Sequence, residues 1–327
     1  MAQINLTYSC NRNCSYCYAK GFLKRWPREI TLEGLEYIFK WTTKQGKRDV
    51  AFTGGEPTLF SKINDALKLA ESYGLKVIVP TNGTSDLKGI NINSPAINVF
   101  LINFNPPSEY SNRELEVLYS NLKTLRRIKK VIFRFNITSP DISYDYLIDA
   151  CERLDIRRVN FALVLPSSLN QNEYIKKEKL KDFTQYILKL AKSLVEHDIR
   201  GCFAQPFPRC LFSEKERAFL IKNSDFHSIC WMGERCIVTP DLTILPCPLL
   251  GVEGHSLKKF KNQKEITNYY KDVVNRLKWE IDLFPECKDC AFKRNKQCQG
   301  GCLIYKFLQA KYSGKLTDKD LRPPSID

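Results

Sequence analysis

Three cysteines stand close together near the start of the chain, at Cys10, Cys14 and Cys17. Thiolates are the usual ligands of iron–sulfur clusters and common ligands of zinc. Three thiolates on one loop can hold three irons of a [4Fe–4S] cluster and leave the fourth iron open to another ligand. Zinc with a fourth ligand elsewhere in the chain is the alternative. The spacing therefore predicts a cluster with an open iron at this loop.

A second motif, Thr-Gly-Gly-Glu-Pro at 53–57, follows a predicted strand. Gly54 and Gly55 have no side chains, so the backbone can approach a ligand closely there. Pro57 fixes the turn. Glu56 is expected to brace the loop rather than to perform acid–base chemistry. This motif predicts a ligand site beside the cysteine loop, one strand further along the chain.

Together the two motifs resemble those of the radical S-adenosylmethionine (SAM) superfamily. Cys10 to Cys17 fits its CxxxCxΦC motif, with Tyr16 at the aromatic position, and 54–57 fits its GGEP motif. The resemblance implies a partial (β/α)6 barrel and SAM bound to the open iron through its amino and carboxylate groups. It also implies an external electron donor of the flavodoxin or ferredoxin type. The radical formed from SAM would then remove hydrogen from a C–H bond.

Other polar residues at the predicted strand ends match this family less specifically. The Thr-Asn-Gly segment at 81–83 is similar to one found there, and later strands supply further polar groups. The alternative is that each is a polar residue whose hydrogen bonds are satisfied inside a barrel mouth. Beyond the GGEP motif, the resemblance implies SAM contacts from Thr81, Asn82, Asn103, Arg134, Asn136 and Leu165.

Nine of the 13 cysteines lie beyond Gly201, and the last four form Cys-x2-Cys-x7-Cys-x3-Cys. This region resembles the SPASM extension of radical SAM peptide-maturing enzymes. It departs from that pattern in three ways: Leu242 replaces a glycine, seven residues instead of five precede Cys298, and no cysteine follows Cys302. The resemblance implies one auxiliary [4Fe–4S] cluster on Cys230, Cys236, Cys247 and Cys302. It implies a second on Cys287, Cys290 and Cys298.

Two alternatives stay open for these cysteines. A single auxiliary cluster, as in shorter twitch domains, would leave the remaining thiols free or bound to zinc. Cys202 and Cys210 are candidates for a fourth ligand or a radical-quenching thiol, although we expect buried, inert cysteines there. Cys151 lies on a predicted helix and is expected in the core.

The elements that must position these residues alternate between strand and helix patterns. We predict six strands, and serial β–α units imply a parallel sheet, either doubly wound or a partial barrel. Thr31 and Ser61 are predicted helix N-caps, and Gly74 a helix end. The predicted strands are 4–8, 50–53, 77–79, 97–104, 131–137 and 159–165, and the predicted helical stretches include 113–127, 144–154 and 174–197.

We expect a radical SAM partial barrel at 1–200, a bridging segment at 201–229 and a small cysteine-rich, metal-dependent SPASM-like domain at 230–327. Periodicity weakens after 201, and the cysteines crowd together beyond it. Because ligands bind at the carboxyl ends of parallel strands, Cys10, Gly54, Thr81, Asn103 and Asn136 should lie at one edge of the sheet.

Composition limits the class of protein further. The 327 residues are 43% hydrophobic, with no apolar run of the ~18–20 residues that a membrane helix needs. The first residues lack a signal-peptide pattern, so we expect a cytoplasmic chain without a membrane partner. The net charge of +15 favours either an acidic peptide partner or simply a soluble lysine-rich surface. We expect no nucleic-acid partner.

The leading hypothesis is modification of a ribosomally made peptide by a crosslink, a thioether or an epimerisation. The chain begins almost at its first strand, so a leader peptide would need a separate binding protein. The rival hypotheses are radical oxidation or dehydrogenation of a small molecule and oxidation of a protein residue. A non-catalytic iron–sulfur electron carrier is the alternative outside enzymes.

Overall fold

The computed structural model describes residues 1–252 and 254–316. The end of the predicted C-terminal domain, 317–327, lies outside these residues. The strands are β1 (Ala2–Thr7), β2 (Asp49–Gly54), β3 (Lys76–Thr81), β4 (Ile97–Asn103), β5 (Lys130–Ile137), β6 (Arg158–Leu163), β7 (Arg200–Phe203), β8 (Cys236–Val238) and β9 (Ile244–Leu245). They form one sheet in the order β7-β6-β5-β4-β3-β2-β1-β8-β9.

The helices of the described residues follow the strands of the barrel and then crowd into the C-terminal region. They are α1 (Leu32–Lys44), α2 (Ile63–Ser72), α3 (Asn112–Ile128), α4 (Asp145–Arg153), α5 (Phe183–Glu196), α6 (Glu214–Ser224), α7 (Gln263–Tyr269), α8 (Lys271–Asn275), α9 (Ala291–Arg294) and α10 (Leu303–Tyr312). A π-helical turn, Arg276–Glu280, follows α8. In the described part of the chain, no helix is both long and apolar enough to span a bilayer.

The fold class is confirmed as a parallel sheet that does not close into a full barrel. β1 to β7 pair in parallel, and β7 and β9 are the two edges. All six predicted strands are present, with ends that differ by a few residues. β7 was not predicted as a strand because its four residues carry no alternation long enough to indicate one.

The predicted helix ends are partly correct. Thr31 caps α1, since its side chain accepts a hydrogen bond from the Gly34 amide at 3.0 Å. Gly74 follows the end of α2 with a φ of +61°, as predicted. The Ser61 cap is wrong: α2 begins after Lys62, and the Ser61 hydroxyl donates to Glu29 instead. A tertiary partner has replaced the local cap.

The predicted helical stretch at 174–197 is also too long. Only α5 is an α-helix there, preceded by an irregular segment and the 3-10 turn Lys177–Lys179. Lys177 instead directs its ammonium group to the carbonyl of Leu283, at 3.3 Å. The first part of this stretch therefore connects the barrel to the C-terminal region rather than extending the helix.

The two faces of the sheet differ in polarity. One face is covered by the helices, and Phe52, Phe100, Phe133 and Phe161 are fully or almost fully buried there. Burying such a ring stabilises the fold by about 1.5–3 kcal/mol. The other face carries half-buried polar side chains on β4, β5 and β6. The sheet therefore has an apolar outer face and a polar inner face.

The C-terminal region is joined to the barrel through β1. Ala2, Gln3 and Ile4 pair in parallel with 236–238 of β8, and β9 returns antiparallel to β8. The predicted bridging segment at 201–229 contains most of β7 and all of α6. One continuous sheet thus runs through all three predicted segments.

Candidate functional site

The cysteine loop begins directly after β1. Cys10 is exposed, and Cys14 and Cys17 are half-buried. The Cys17 amide donates to the Cys14 carbonyl at 3.2 Å, which closes a turn at the second half of the motif. The 3-10 turn Tyr18–Lys24 follows at once. The three thiols therefore share one short loop at the carboxyl end of the first strand.

The two glycines after β2 are required by the chain itself. Gly54 has a φ of +132°, and a Cβ on it would lie 1.9 Å from the Thr7 carbonyl oxygen. A Cβ on Gly55 would lie 2.4 Å from the Ser9 carbonyl oxygen. The Gly55 amide donates to the Thr7 carbonyl at 2.7 Å. These glycines let β2 approach the start of the cysteine loop. The packing of the chain therefore requires glycine at both positions, in addition to any contact with a ligand.

Glu56 is a buried brace, as predicted. Its carboxylate accepts hydrogen bonds from the Thr58 amide and hydroxyl, the Thr81 hydroxyl and the Asn82 amide, at 2.6–3.1 Å. Burial raises the pKa of Glu56, while these hydrogen bonds oppose that rise. Pro57 opens the 3-10 turn Pro57–Leu59. One carboxylate thus ties the end of β2 to the end of β3.

Asn82, which is bound to Glu56, also forms hydrogen bonds with the cysteine loop. Its side-chain amide donates to the Asn11 side chain at 2.9 Å and lies 3.8 Å from the Cys10 sulfur. The Asn82 side-chain oxygen accepts from the Thr84 amide at 2.8 Å. The structure therefore brings the predicted Thr-Asn-Gly segment against the first cysteine.

The inner face of the sheet carries a polar row across three strands. Asn103, Arg134 and Asn160 are register partners on β4, β5 and β6, so their side chains point to the same side. The side-chain oxygen of Asn160 is buried without a hydrogen-bond partner in the described residues. Burial raises the pKa of Tyr18, and the Arg134 guanidinium opposes this rise. The row therefore faces the turn that follows Cys17.

Asn136 and Tyr16 are linked through a residue that sequence reasoning missed. Asn136 donates to the Asn105 side-chain oxygen at 3.4 Å, and Asn105 in turn donates to the Tyr16 hydroxyl. Asn105 also donates to Glu109 at 2.9 Å. Asn105 lies two residues past the end of β4, so its position after a predicted strand was an available signal.

The loop after β6 closes over the cysteine loop and was also missed. Asn172 donates to the main-chain carbonyls of Tyr16 and Leu165, at 3.1 and 2.9 Å. Asn170 donates to the Cys17 carbonyl at 3.1 Å. The Glu173 amide donates to the Ser15 carbonyl at 3.1 Å. The Leu165 carbonyl, at the position of a predicted SAM contact, thus accepts one hydrogen bond from Asn172.

In the C-terminal region, three of the four thiols predicted for the first auxiliary cluster come together. The side chain of Cys302 is half-buried. Desolvation raises the pKa of its thiol well above the usual value, and Cys230 and Cys247 raise it further. The Cys230 amide donates to the side chain of Gln299 at 2.8 Å. Gln299 is itself buried and donates to the Gly301 carbonyl at 2.8 Å. The segment before α10 thus holds Cys230 beside Cys302.

Cys236, the fourth predicted thiol of this group, lies elsewhere. It begins β8, is buried, and pairs with Ala2. Burial raises its pKa to about 12, and the charges of Lys47 and the N-terminal amine oppose this rise. No cysteine of the described residues is among the groups that act on it. Cys236 therefore occupies a core position at the junction with β1.

The second predicted group is compact. Cys287 ends a 3-10 turn, and the Cys290 amide donates to its carbonyl at 3.4 Å. The Gly300 amide donates to the Cys298 sulfur at 3.3 Å, and a Cβ on Gly300 would lie 3.4 Å from the Cys287 sulfur. An amide that donates to sulfur stabilises a thiolate, which is the form that binds iron.

The thiol groups fit iron–sulfur clusters in their chemistry. All thirteen cysteines lie in the described residues and none is in a disulfide. Among the described residues, no three His, Cys, Asp or Glu side chains are arranged around a single metal ion. A cluster of four irons carries each thiolate on a different iron and so spreads its ligands more widely than one ion does.

These motifs and this fold resemble those of radical SAM proteins. Residues 4–115 match the family model of the Radical SAM superfamily. Members of that superfamily are enzymes that use SAM and a [4Fe–4S] cluster. This likeness favours an enzyme over a non-catalytic electron carrier.

Curated relatives match shares of the chain that range from about a quarter to most of it. A probable GTP 3′,8-cyclase of Pyrococcus abyssi is 35% identical over 83 residues, which are 25% of this chain and 27% of that one. The matches to the first such relatives thus cover about a quarter of their length. A probable GTP 3′,8-cyclase of Methanocaldococcus jannaschii is 25% identical over 290 residues, 84% of this chain and 93% of that one.

Solved structures extend the likeness to the C-terminal region. SuiB of Streptococcus suis, bound to its precursor peptide SuiA, is 18% identical and matches with a TM-score of 0.68. The match covers 99% of this chain and 74% of SuiB. AdoMet-bound anSMEcpe is 17% identical, with a TM-score of 0.67 over 98% of this chain and 96% of that chain. The chain therefore has the fold of SPASM-type radical SAM enzymes.

Proposed function

We propose that this enzyme modifies a peptide by removing a hydrogen atom from one of its C–H bonds. The observation that carries the proposal is the extent of the fold match to SuiB in its complex with the peptide SuiA, which covers 99% of this chain. A structure of anSMEcpe with AdoMet and a peptide matches 96% of this chain. Both matches include the cysteine-rich region as well as the barrel, which supports a peptide as the substrate class.

In this proposal Cys10, Cys14 and Cys17 hold the first cluster, and the polar inner face holds SAM. The chemistry that the bound cofactors supply is removal of a hydrogen atom from an unactivated C–H bond. The guanidinium of Arg134 provides a positive charge for a carboxylate, and Asn160 provides an acceptor without a partner. The loop after β6 donates hydrogen bonds to the carbonyls of Tyr16 and Cys17 and so braces the second half of the cysteine loop.

We further propose two auxiliary clusters. The first is held by the thiols that the structure gathers at Cys230, Cys247 and Cys302. The second is held by Cys287, Cys290 and Cys298 around Gly300. Two further clusters in the C-terminal region suit electron transfer to or from the reacting centre.

The proposed peptide is acidic. The chain carries 51 Lys and Arg against 36 Asp and Glu, so a negatively charged segment is attracted to its surface. A separate leader-binding protein and a flavodoxin-type or ferredoxin-type electron donor complete the proposed set of partners.

A small-molecule substrate is the second candidate, because one observation favours it. The M. jannaschii relative, a probable GTP 3′,8-cyclase, aligns over 84% of this chain. A nucleotide would place its phosphates near arginines, and Arg134 is available on the inner face of the sheet. In this candidate the substrate is smaller than a peptide, and the reaction does not depend on an acidic peptide.

The test uses anaerobically reconstituted full-length protein with reductant and SAM. Synthetic acidic peptides with deuterated side chains and, separately, deuterated GTP are the probes. We expect deuterium to enter 5′-deoxyadenosine from at least one peptide and none from GTP. Transfer from GTP with none from any peptide would instead establish the small-molecule candidate. The Cys10/Cys14/Cys17→Ala variant is the control and should form no 5′-deoxyadenosine.

A further inference from the structure

We propose that Cys210 is the fourth ligand of the second auxiliary [4Fe–4S] cluster, in addition to Cys287, Cys290 and Cys298. The inference rests on the second cluster proposed above and assigns the thiol that completes it. A [4Fe–4S] cluster takes one thiolate on each iron, and the C-terminal motif supplies three of the four.

Cys302, the next cysteine along the chain, belongs to the other thiol group. Its side chain is half-buried and lies within electrostatic range of Cys230 and Cys247. Cys302 is the N-cap residue of α10, so its position is fixed by the start of that helix. A fourth thiol for the second group therefore has to come from outside the C-terminal motif.

Cys210 is placed at this group by the residues beside it. It lies at the centre of the 3-10 turn Arg209–Leu211, directly after Pro208. The ring carbons of Pro208 lie 3.2 and 3.3 Å from the position that a Cβ on Gly301 would take. The turn therefore packs on the backbone of the cysteine motif in van der Waals contact.

A second contact holds the other side of the turn. The guanidinium groups of Arg209 and Arg217 lie 5.0 and 5.1 Å from the centre of the Phe292 ring. A guanidinium at this distance is attracted to the face of an aromatic ring. The Phe292 carbonyl accepts from the Cys298 amide at 3.1 Å. One aromatic residue thus fixes both the turn that carries Cys210 and the backbone of Cys298.

Gly300 completes the geometry. It donates to the Cys298 sulfur and lies against the Cys287 sulfur, and its neighbour Gly301 touches Pro208. The side chain of Cys210 is exposed rather than buried in a core, in contrast to the sequence expectation of an inert cysteine. Its thiol is within electrostatic range of all three other cysteines of the group.

Cys202 serves as a matched control, since it precedes Cys210 by only eight residues. It lies on β7, and the groups that act on it are Arg158 and Asp225 rather than other thiols. Its half-buried side chain is also a free thiol. If any cysteine in this part of the chain were needed, the results for Cys202 and Cys210 would change alike. If Cys210 is a cluster ligand, only the results for Cys210 change.

The assignment has a chemical consequence. With four cysteine ligands, every iron of the second auxiliary cluster carries a thiolate, and no iron is open to a substrate carboxylate or thiolate. The cluster would then transfer electrons or stabilise the fold. Direct binding of a substrate would be confined to the other sites.

The first experiment uses wild-type protein, so that it does not depend on the folding of a variant. Cluster-loaded protein and chelator-treated, cluster-free protein are alkylated with iodoacetamide, and each cysteine is followed by mass spectrometry. We expect Cys210 to be protected together with Cys287, Cys290 and Cys298 in the loaded protein and to react in the cluster-free protein. Cys202 should react equally in both.

Three results would overturn the inference. Alkylation of Cys210 while the other three cysteines stay protected would show a second cluster that lacks this ligand. Alkylation of all four in the loaded protein would show that no second cluster forms, and would remove that part of the proposed function as well. Protection of all four by bound zinc, measured by elemental analysis, would replace the cluster with a zinc site.

The second experiment places Cys210→Ala or Cys202→Ala in the Cys10/Cys14/Cys17→Ala background, which isolates the auxiliary clusters. About eight irons should remain in the background and in the Cys202→Ala protein. The Cys210→Ala protein should fall to about four irons or, on oxidation, show the EPR signal of a [3Fe–4S] cluster. An unchanged iron content and EPR spectrum in this variant would contradict the assignment.

Discussion

The cysteine loop near the N-terminus and the cysteine-rich region near the C-terminus position their thiols by different means. Cys10, Cys14 and Cys17 follow one strand within eight residues, and the loops after β2, β3 and β6 hold them from outside. In the C-terminal region the first group gathers cysteines from distant segments, and the second does so through the proposed ligand Cys210. The first arrangement is local and depends on bracing, whereas the second depends on the tertiary fold.

Exposure follows the same division. The sulfur-bearing side chain of Cys10 is exposed, so the first site is open to a ligand from the barrel mouth. In the C-terminal region Cys287 and Cys298 are buried, and Cys230, Cys247 and Cys302 are half-buried. An open site suits a cluster that must bind a ligand, and an enclosed site suits a cluster that only transfers electrons.

The largest effect is expected from removal of the local site. Cys10/Cys14/Cys17→Ala should abolish SAM cleavage while the C-terminal region keeps about eight irons. Iron and sulfide counting together with a 5′-deoxyadenosine assay makes this measurement. Cys151→Ala, a buried position on α4, is the control and should keep both cleavage and iron. Retained SAM cleavage in the triple variant would show that the two regions are not divided in this way.

The next effect concerns the bracing of the cysteine loop. Gly54→Ala should lower the free energy of unfolding by about 3 kcal/mol, because its Cβ would lie 1.9 Å from the Thr7 carbonyl oxygen. Gly46→Ala is the matched control: it also has a positive φ, of +70°, but no atom within 4 Å of the new Cβ. Its cost should be about 1 kcal/mol, from the backbone alone. Equal costs in urea unfolding of the two variants would contradict the close approach of β1 and β2.

A smaller effect is expected for the loop after β6. Asn172→Ala removes hydrogen bonds to the carbonyls of Tyr16 and Leu165 and should cost about 1–2 kcal/mol. It should also speed the loss of the first cluster in air without changing the auxiliary clusters. Asn223→Ala, which removes a similar bond to the Phe219 carbonyl on α6, should leave cluster lifetime unchanged. Equal cluster lifetimes in the two variants would remove the bracing role of this loop.

The smallest effect tests which cysteines the C-terminal region brings together. Cys236→Ala should keep the full iron content and cost about 1 kcal/mol, because this side chain packs at the junction of β8 with β1. Cys247→Ala should instead lose about four irons. If Cys236→Ala also lost about four irons, Cys236 would be a ligand, as its spacing from Cys230 predicts.

The sequence was sufficient for features that depend on nearby residues. The parallel sheet, six of its nine strands, the Thr31 cap and the bracing role of Glu56 each follow from periodicity or from a short motif. The site contacts of Asn105 and Asn172 could not be predicted, because each depends on where a loop folds back. The position of Cys236 apart from Cys230 has the same cause, since a strand pairing 234 residues away in the chain decides it.

The pairing of β1 with β8 also has a consequence for synthesis. β1 leaves the ribosome first, but its partner at 236–238 follows roughly 230 residues later. At translation rates of about 5–20 residues per second, that edge of β1 stays open for roughly 10–50 s. An unpaired strand edge is a site of aggregation. Nascent chains of this protein should therefore need a chaperone over that interval, and production at low temperature should alter the yield of folded protein.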